Sequence, residues 1–291
     1  MKKYITLLSI LFTITACDKI EGPYISGGEP YVNPYKKVLI EDFTGHLCPN
    51  CPDAARELDA IHDIYGDQII GMAIHVSKSF GRPYPASQAP NFQYDFRTNW
   101  GDEWNEFYEI SAAGLPRGMV NRIGVPDESH KLGKDEWVGT VASELQKEVN
   151  FIISIKGNTN SITVSSTLEN DIANNFKLVV CLTESDIVNW QKDGQDNIDE
   201  YEHNHVLRTV ISDASLSSSS SFEKGEVIES SFDINLAELE QYNIDYSTNE
   251  AELGNGNAGG WNIENMSVIA YIYDNTTKEI VQVEEAHLMN K

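Results

Sequence analysis

"VLIEDFTGHLCPNCP", residues 38–52, decides the reading of this chain. The apolar, partly β-branched run through Phe43, closed by Gly45, reads as a buried strand. Two cysteines follow, Cys48 and Cys51, and then Pro52, which suits the first turn of a helix. In "CPDAARELDAIHDIYG" (51–66), Ala54, Leu58, Ile61 and Tyr65 line one helical face and Gly66 stands where the helix should close. "DQIIGMAIHVS" (67–77) reads as a second strand. Strand, helix and strand in that order predict a right-handed crossover and a parallel pair.

Upstream, "MKKYITLLSILFTITAC" has two lysines, an apolar run, and the small residue Ala16 just before Cys17. That is the layout of a secretory signal, too short to span a bilayer permanently. Its end resembles a bacterial lipobox, so cleavage is expected after residue 16 and lipid on Cys17. Acyl chains anchor through buried methylenes, each contributing about 0.8 kcal/mol. Residues 17–35, rich in Gly, Pro and polar residues, read as a lipidated tether. Lys19 and Glu21 match part of the signal that marks surface-bound lipoproteins.

The chain has 291 residues and a net charge of −24, with 21 basic against 45 acidic side chains. The length suits two domains. The acidity argues against a nucleic-acid partner and against polybasic membrane attachment. From Lys78 to Ala113 the pattern loosens into a loop and a partly helical aromatic segment. "GLPRGMVNRIG" (114–124) reads as a turn into a strand, and Trp137, Val141 and Leu145 mark a helix over 134–148. After residue 148 the composition changes. Ile162, Val164 and Leu168 alternate with Ser and Thr, and "FKLVVCLTE", "MSVIAYIYD" and "EIVQVEEAHL" read as further strands between Ser- and Gly-rich joints. Many short strands with such turns predict an all-β, immunoglobulin-like sandwich over 149–291.

Three chemistries compete for the cysteine pair. A structural zinc site needs two more ligands. Cys17 is assigned to lipid, Cys181 reads as a buried small hydrophobe in a strand of the second half, and His46 is a single residue. A structural disulfide fits an oxidising compartment but closes a very small loop. The redox reading fits the context best: with a strand before and a helix after, C-x-x-C is a strong signal. At a helix N-terminus, Cys48 would be favoured as the attacking thiolate, with Cys51 as the resolving thiol.

Residues 36–148 resemble a thioredoxin-like domain. The resemblance implies that Asp42, six residues before Cys48, handles the proton of the buried cysteine. It also implies that Pro116 is the cis-proline facing the cysteines, with the Leu115 backbone holding a substrate strand. Leu47, in place of an aromatic residue, and Pro49-Asn50, in place of Gly-Pro, depart from thioredoxin itself. The aromatic residues Phe92, Tyr94, Phe96, Trp100, Trp104, Phe107 and Tyr108 suit either a substrate groove or the core of an inserted helical segment. The whole chain resembles the outer-membrane-protein-28-related lipoprotein family through "VLIEDFTGHLCPNCP", "GLPRGMVNR", "EYEHNHVLR" and "VIAYIYDNTTKEIVQ". That resemblance implies an α/β thioredoxin-like domain followed by a β-sandwich, held to the outer membrane by lipid and facing the periplasm or the cell surface. Two functions follow as expectations. One is thiol–disulfide exchange with exported protein thiols or disulfides. The other is a non-enzymatic adhesin or binding role toward a host or cell-surface ligand, with the cysteine pair structural.

Other signals are weaker. His203 and His205 would share a strand face but read first as a polar strand or loop. "DGQDNIDEYE" (193–202) lacks the ligand order of a calcium loop. Neither a metal nor a cofactor is expected.

Overall fold

Val38–Thr44 (β1) is buried along its whole length, as a central strand covered on both faces must be. In this computed structural model, residues 33 and 35–289 are described; the expected signal segment, Cys17 and the tether through residue 32 lie outside the described residues. Alternation sorts the side chains of β1. Val38 and Ile40 pack with Ala54, Leu58 and Ile61 of α1 (Cys51–Tyr65) and with Trp137 and Val141 of α3 (Lys134–Glu144). Leu39 and Phe43 enter a different cluster on the opposite face. Pro52 lies in the first turn of α1, and Gly66, at φ 58°, donates its N–H to the His62 carbonyl to end it.

β2 (Ile69–His75) runs parallel to β1, and the short β3 (Arg117–Val120) runs antiparallel on β1's other side. Between β2 and β3 lies α2 (Asn99–Tyr108), its N-terminus capped by the Thr98 hydroxyl, which accepts from the Gly101 N–H. Gly71 in β2 is required by a close approach: a Cβ there would lie 2.7 Å from Leu58 of α1.

Downstream come β4 (Phe151–Gly157), β5 (Ser161–Leu168), β6 (Ile172–Ala173), β7 (Phe176–Glu184), β8 (Ile187–Asp193), β9 (Asp196–His203) and β10 (Val206–Ser215). Then follow β11 (Ser221–Phe222), β12 (Val227–Asp233), α4 (Leu236–Asn249), β13 (Met266–Asp274) and β14 (Ile280–His287). The sheet order is β14-β13-β7-β10-β2-β1-β3, so one seven-stranded sheet runs across both halves of the chain. Its joint is narrow. β10 meets β2 in parallel at Val206 and Ala73, and the Ala73 N–H donates to the His205 carbonyl at 2.8 Å.

One hydrophobic cluster spans that joint, combining Phe43, Met72 and Ile74 with Cys181, Leu207, Ile269, Tyr271 and Val283. On the sheet's other face, over β7 and β13, a three-stranded sheet, β12-β5-β4, seats Ile162, Val164 and Leu168 against Leu178, Val180, Val268 and Ile272. The layers of a sandwich are therefore present, but the larger layer is shared with the strands around Cys48. The sequence-based division at 148/149 falls between α3 and β4, and the sheet crosses it. Residues 33–289 fall within one compact unit. The alternating pattern of a single strand carries no mark of which sheet it joins. The two ends of this unit also meet: Lys37 N–H donates to Gln282 of β14, and Gln282 donates to the Tyr35 carbonyl at 2.8 Å.

A buried charge pair ties the halves together. Arg122, just after β3, grips Glu41 of β1 through two hydrogen bonds of 2.6 and 2.8 Å and donates to the Tyr271 hydroxyl of β13 at 2.7 Å. The rings of Trp104, Tyr108 and Tyr271 stand within 5.3 Å of its guanidinium carbon. Removing one partner leaves the other charge buried alone. Glu41→Ala should therefore lower the unfolding free energy by about 3–5 kcal/mol, whereas the double replacement Glu41→Leu with Arg122→Met should cost clearly less, as urea denaturation will read.

Candidate functional site around Cys48 and Cys51

The loop from β1 to α1 is fixed from below. Gly45 lies so close to the neighbouring loop that a Cβ would fall 2.5 Å from the Phe80 carbonyl oxygen. The Leu47 N–H donates to that same oxygen at 2.9 Å, and the Cys48 N–H donates to the Gly45 carbonyl at 2.9 Å. Cys48 and Cys51 form a disulfide with their Cα atoms 5.5 Å apart. The helix begins at Cys51, so Cys48 sits in the preceding turn rather than within the first helical turn.

Asp42 sits on the α1 side of β1, 3% exposed, and lines with Cys51 a cavity of about 70 Å³. His75 of β2, Gln191 of β8 and His203 of β9 share that cavity. Burial alone pushes the Asp42 carboxyl up to about 7, and one of its oxygens has no hydrogen-bond partner among the described residues. Asp42 can thus hold or release a proton near neutral pH beside Cys51. The histidines behave oppositely. Burial, offset in part by a hydrogen bond to the Arg82 carbonyl, brings His46 down to about 4; burial, with His46 nearby, brings His203 down to about 3. His75, buried beside His203, lies well below its ordinary value. All three are neutral at pH 7. His75 stacks on the Phe96 ring and His203 lies tilted against it, each with ring centroids 4.6 Å apart.

The Leu115–Pro116 peptide bond is cis. Arg117 pairs with Phe43, which sets Pro116 at the end of β3 nearest the loop that carries Cys48. Both Leu115 and Pro116 are half-buried. The aromatic segment divides: Phe92 and Phe96 pack around His46 and His75, Trp104 and Tyr108 enter the core, and Phe107 stays exposed. Cys181 is free and fully buried in β7, and burial pushes its thiol pKa up.

The cysteines themselves are covered: Cys48 is 1% and Cys51 2% exposed. The cover is the β8–β9 hairpin, whose contribution the sequence reading missed. Gly194 N–H donates to the Pro49 carbonyl at 2.8 Å and Lys192 N–H to the His46 carbonyl at 2.9 Å. The Gln191 side chain donates to the Cys48 carbonyl at 3.1 Å, and Asp193 pairs with Arg56 of α1 at 3.0 Å. A local signal for this hairpin was present. The two-residue loop is Gly194-Gln195, with Gly at the first central position as a tight hairpin turn favours, and strand residues flank it on both sides. Of the two weighed histidines, His203 ends β9 and His205 follows the strand at φ 57°, and both line the cavity beside Asp42 and Cys51.

The described fold is a mixed α/β protein with a C-x-x-C disulfide between its first strand and first helix. The family model of outer membrane protein Omp28 matches residues 104–249, half of the chain, and the chain belongs to that family. Among solved structures it is similar to HBP35 of Porphyromonas gingivalis, at 12% identity and a TM-score of 0.55 over 89% of this chain and 77% of that one. It is also similar to a protein from Agrobacterium tumefaciens, at 12% identity and a TM-score of 0.52 over 88% and 96% of the two chains. A domain of the outer membrane lipoprotein Omp28 from Porphyromonas gingivalis aligns over 49% of this chain and 90% of that one. Its identity is 16% and its TM-score, 0.26, is too low to speak for the fold. No curated protein matches.

The raised Asp42 value carries a sign that can be measured. The folded state binds this proton more tightly than the unfolded state, so its contribution is full below about pH 4 and is lost as pH rises through about 7. Between pH 5 and pH 8 the wild type should lose on the order of 2–3 kcal/mol of stability relative to Asp42→Asn. Urea titrations of both proteins at the two pH values read the difference directly.

Proposed function

We propose that this protein is a lipid-anchored outer-membrane protein that exchanges disulfides with exported polypeptides. The observation that carries the reading is the Cys48–Cys51 disulfide seated directly after β1, beside a proton-carrying Asp42. In the oxidising direction, a thiolate of the partner attacks Sγ of Cys48 and the bond to Cys51 breaks. Cys51 leaves as a thiolate and takes a proton by way of Asp42. The partner's second thiol, as thiolate, then attacks the mixed disulfide and frees Cys48, which is protonated. Two electrons pass from the partner to the pair, the partner becomes a disulfide, and the protons lost by its two thiols are matched by those on Cys48 and Cys51. The same steps in reverse reduce a partner disulfide. Leu115 and Pro116 offer the backbone edge on which the partner's strand rests, and no cofactor is needed.

A second reading has its own support. With both cysteines buried, a structural disulfide within a surface adhesin or binding protein fits, and the sandwich layers, read as immunoglobulin-like, would then engage a host or cell-surface ligand. The reduction potential separates the two. Equilibration against glutathione with thiol trapping should give a value between about −120 and −270 mV for an exchange protein, and a value below about −300 mV supports the structural reading. Under the exchange reading, Cys48→Ser should abolish turnover of a disulfide-bonded protein substrate.

Lipid attachment at Cys17 is tested separately. Cys17→Ala should shift the protein from the membrane pellet to the soluble fraction, since the acyl chains whose buried methylenes hold it there are then no longer attached. Retention in the pellet would assign the attachment to another part of the chain.

A further inference from the structure

The hairpin that covers the disulfide differs from every neighbouring strand in how it is held. Among the described residues, β8 and β9 pair only with each other, as a two-stranded sheet apart from the seven-stranded one. Its outward side is solvated, with Val188 60% and Ile198 37% exposed. Beyond the stem, its hold on the C-x-x-C loop is made of the three hydrogen bonds to the carbonyls of His46, Cys48 and Pro49 and the solvent-exposed Arg56–Asp193 pair. Toward the tip, Trp190 stands 5.6 Å from the Phe92 ring and Lys192 lies over the Tyr84 ring. The buried His203, at the stem end of β9, packs against Phe96 at 4.6 Å and His75 at 5.6 Å, so the tighter packing is at the stem. Hydrogen bonds of this kind contribute little net stability each, and an exposed ion pair less still.

The two ends of the hairpin carry the backbone of a hinge. Asp186, before β8, and His205, after β9, both have φ 57°, in the left-handed region that residues other than glycine seldom occupy. The stem is joined there by side chains rather than by a strand ladder. The Asp186 N–H donates to the Asn204 side chain at 2.9 Å, and the His205 N–H donates to the Ser185 hydroxyl at 3.0 Å. Beyond these residues, β7 and β10 are locked into the shared sheet.

We infer that the β8–β9 hairpin is a displaceable cover, which must lift before Cys48 can exchange and whose place an extended, thiol-bearing polypeptide segment then takes. The inference rests on the exchange reading above. The three carbonyls at His46, Cys48 and Pro49 all accept from the hairpin in this closed form. Once the hairpin lifts, the His46 and Pro49 carbonyls lose their backbone donors and the Cys48 carbonyl keeps only the long 3.4 Å contact from the Cys51 N–H, so the N–H groups of an extended chain can take the vacated places. The cover therefore selects for partners that offer backbone donors, and it keeps the sulfurs from passing thiols while closed.

Two measurements test this on the full soluble chain. Hydrogen exchange of the wild type should show the amides of Lys192 and Gly194 opening together, at least a hundredfold faster than the Ala73 amide at the sheet joint. Exchange as slow as at Ala73 overturns the cover. The second measurement follows reduction of the Cys48–Cys51 disulfide by dithiothreitol and by reduced thioredoxin. In the wild type both rates should level off at one common opening rate as the reductant is raised. The triple variant Arg56→Ala, Gln191→Ala and Asp193→Ala should be reduced at least tenfold faster by either. Rates equal in variant and wild type, or no reduction of either, overturn the proposal. The exchange reading fails on a different axis: a potential below about −300 mV sinks it whatever the rates do.

Discussion

The architecture depends on one short contact, the parallel meeting of β10 with β2 at Val206 and Ala73. Without it, the strands around Cys48 would form a small three-stranded sheet with a bare edge at β2, and the C-terminal strands would form a sheet of their own. With it, the two become one layer and the core under β1 continues beneath β7 and β13. The contact also decides what lies over the disulfide. β8 and β9 connect β7 to β10, so fixing β10 beside β2 delivers that hairpin to the loop that carries Cys48. A joint with so few backbone bonds needs support from side chains, and the Glu41–Arg122–Tyr271 cluster supplies it across the same two halves.

The chemistry of the site follows from the burial this arrangement imposes. One carboxyl and three imidazoles lose contact with bulk water together, and desolvation disfavours the charged form of each. The result is a neutral interior at pH 7 in which Asp42 alone stands near its midpoint. A carboxyl near its midpoint thus shares a small cavity with Cys51, under a hairpin held over Cys48 by three hydrogen bonds.

Much of the first half was legible in the sequence because its signals are local. The unbroken apolar run of β1, the Ala54, Leu58, Ile61 and Tyr65 stripe, and Gly66 at the helix end each depend on neighbours within a few residues. The pairing of Cys48 with Cys51 and the position of Asp42 follow from that same short segment. The strands β5, β7, β13 and β14 were legible for similar reasons. Illegible were the features decided by partners far along the chain: that β10 would lie beside β2, and that Gln191 would face Cys48. Gly194 marked a turn, but nothing nearby could say what the turn would cover. α4 was obscured as well, since its polar residues bury only Asn243, Tyr246 and Ser247 and leave no clean apolar stripe.

The meeting of Tyr35 and Lys37 with Gln282 places the two ends of the compact unit side by side, with nearly the whole chain between them. Contacts of such sequence separation make folding slow, because a long loop must close before they return any free energy. A chain made from its N-terminus carries β1, α1 and β2 long before β10 exists to join them. Until β10 lies beside β2, nothing fixes the β8–β9 hairpin over the two cysteines, so their burial is completed by strands far along the chain.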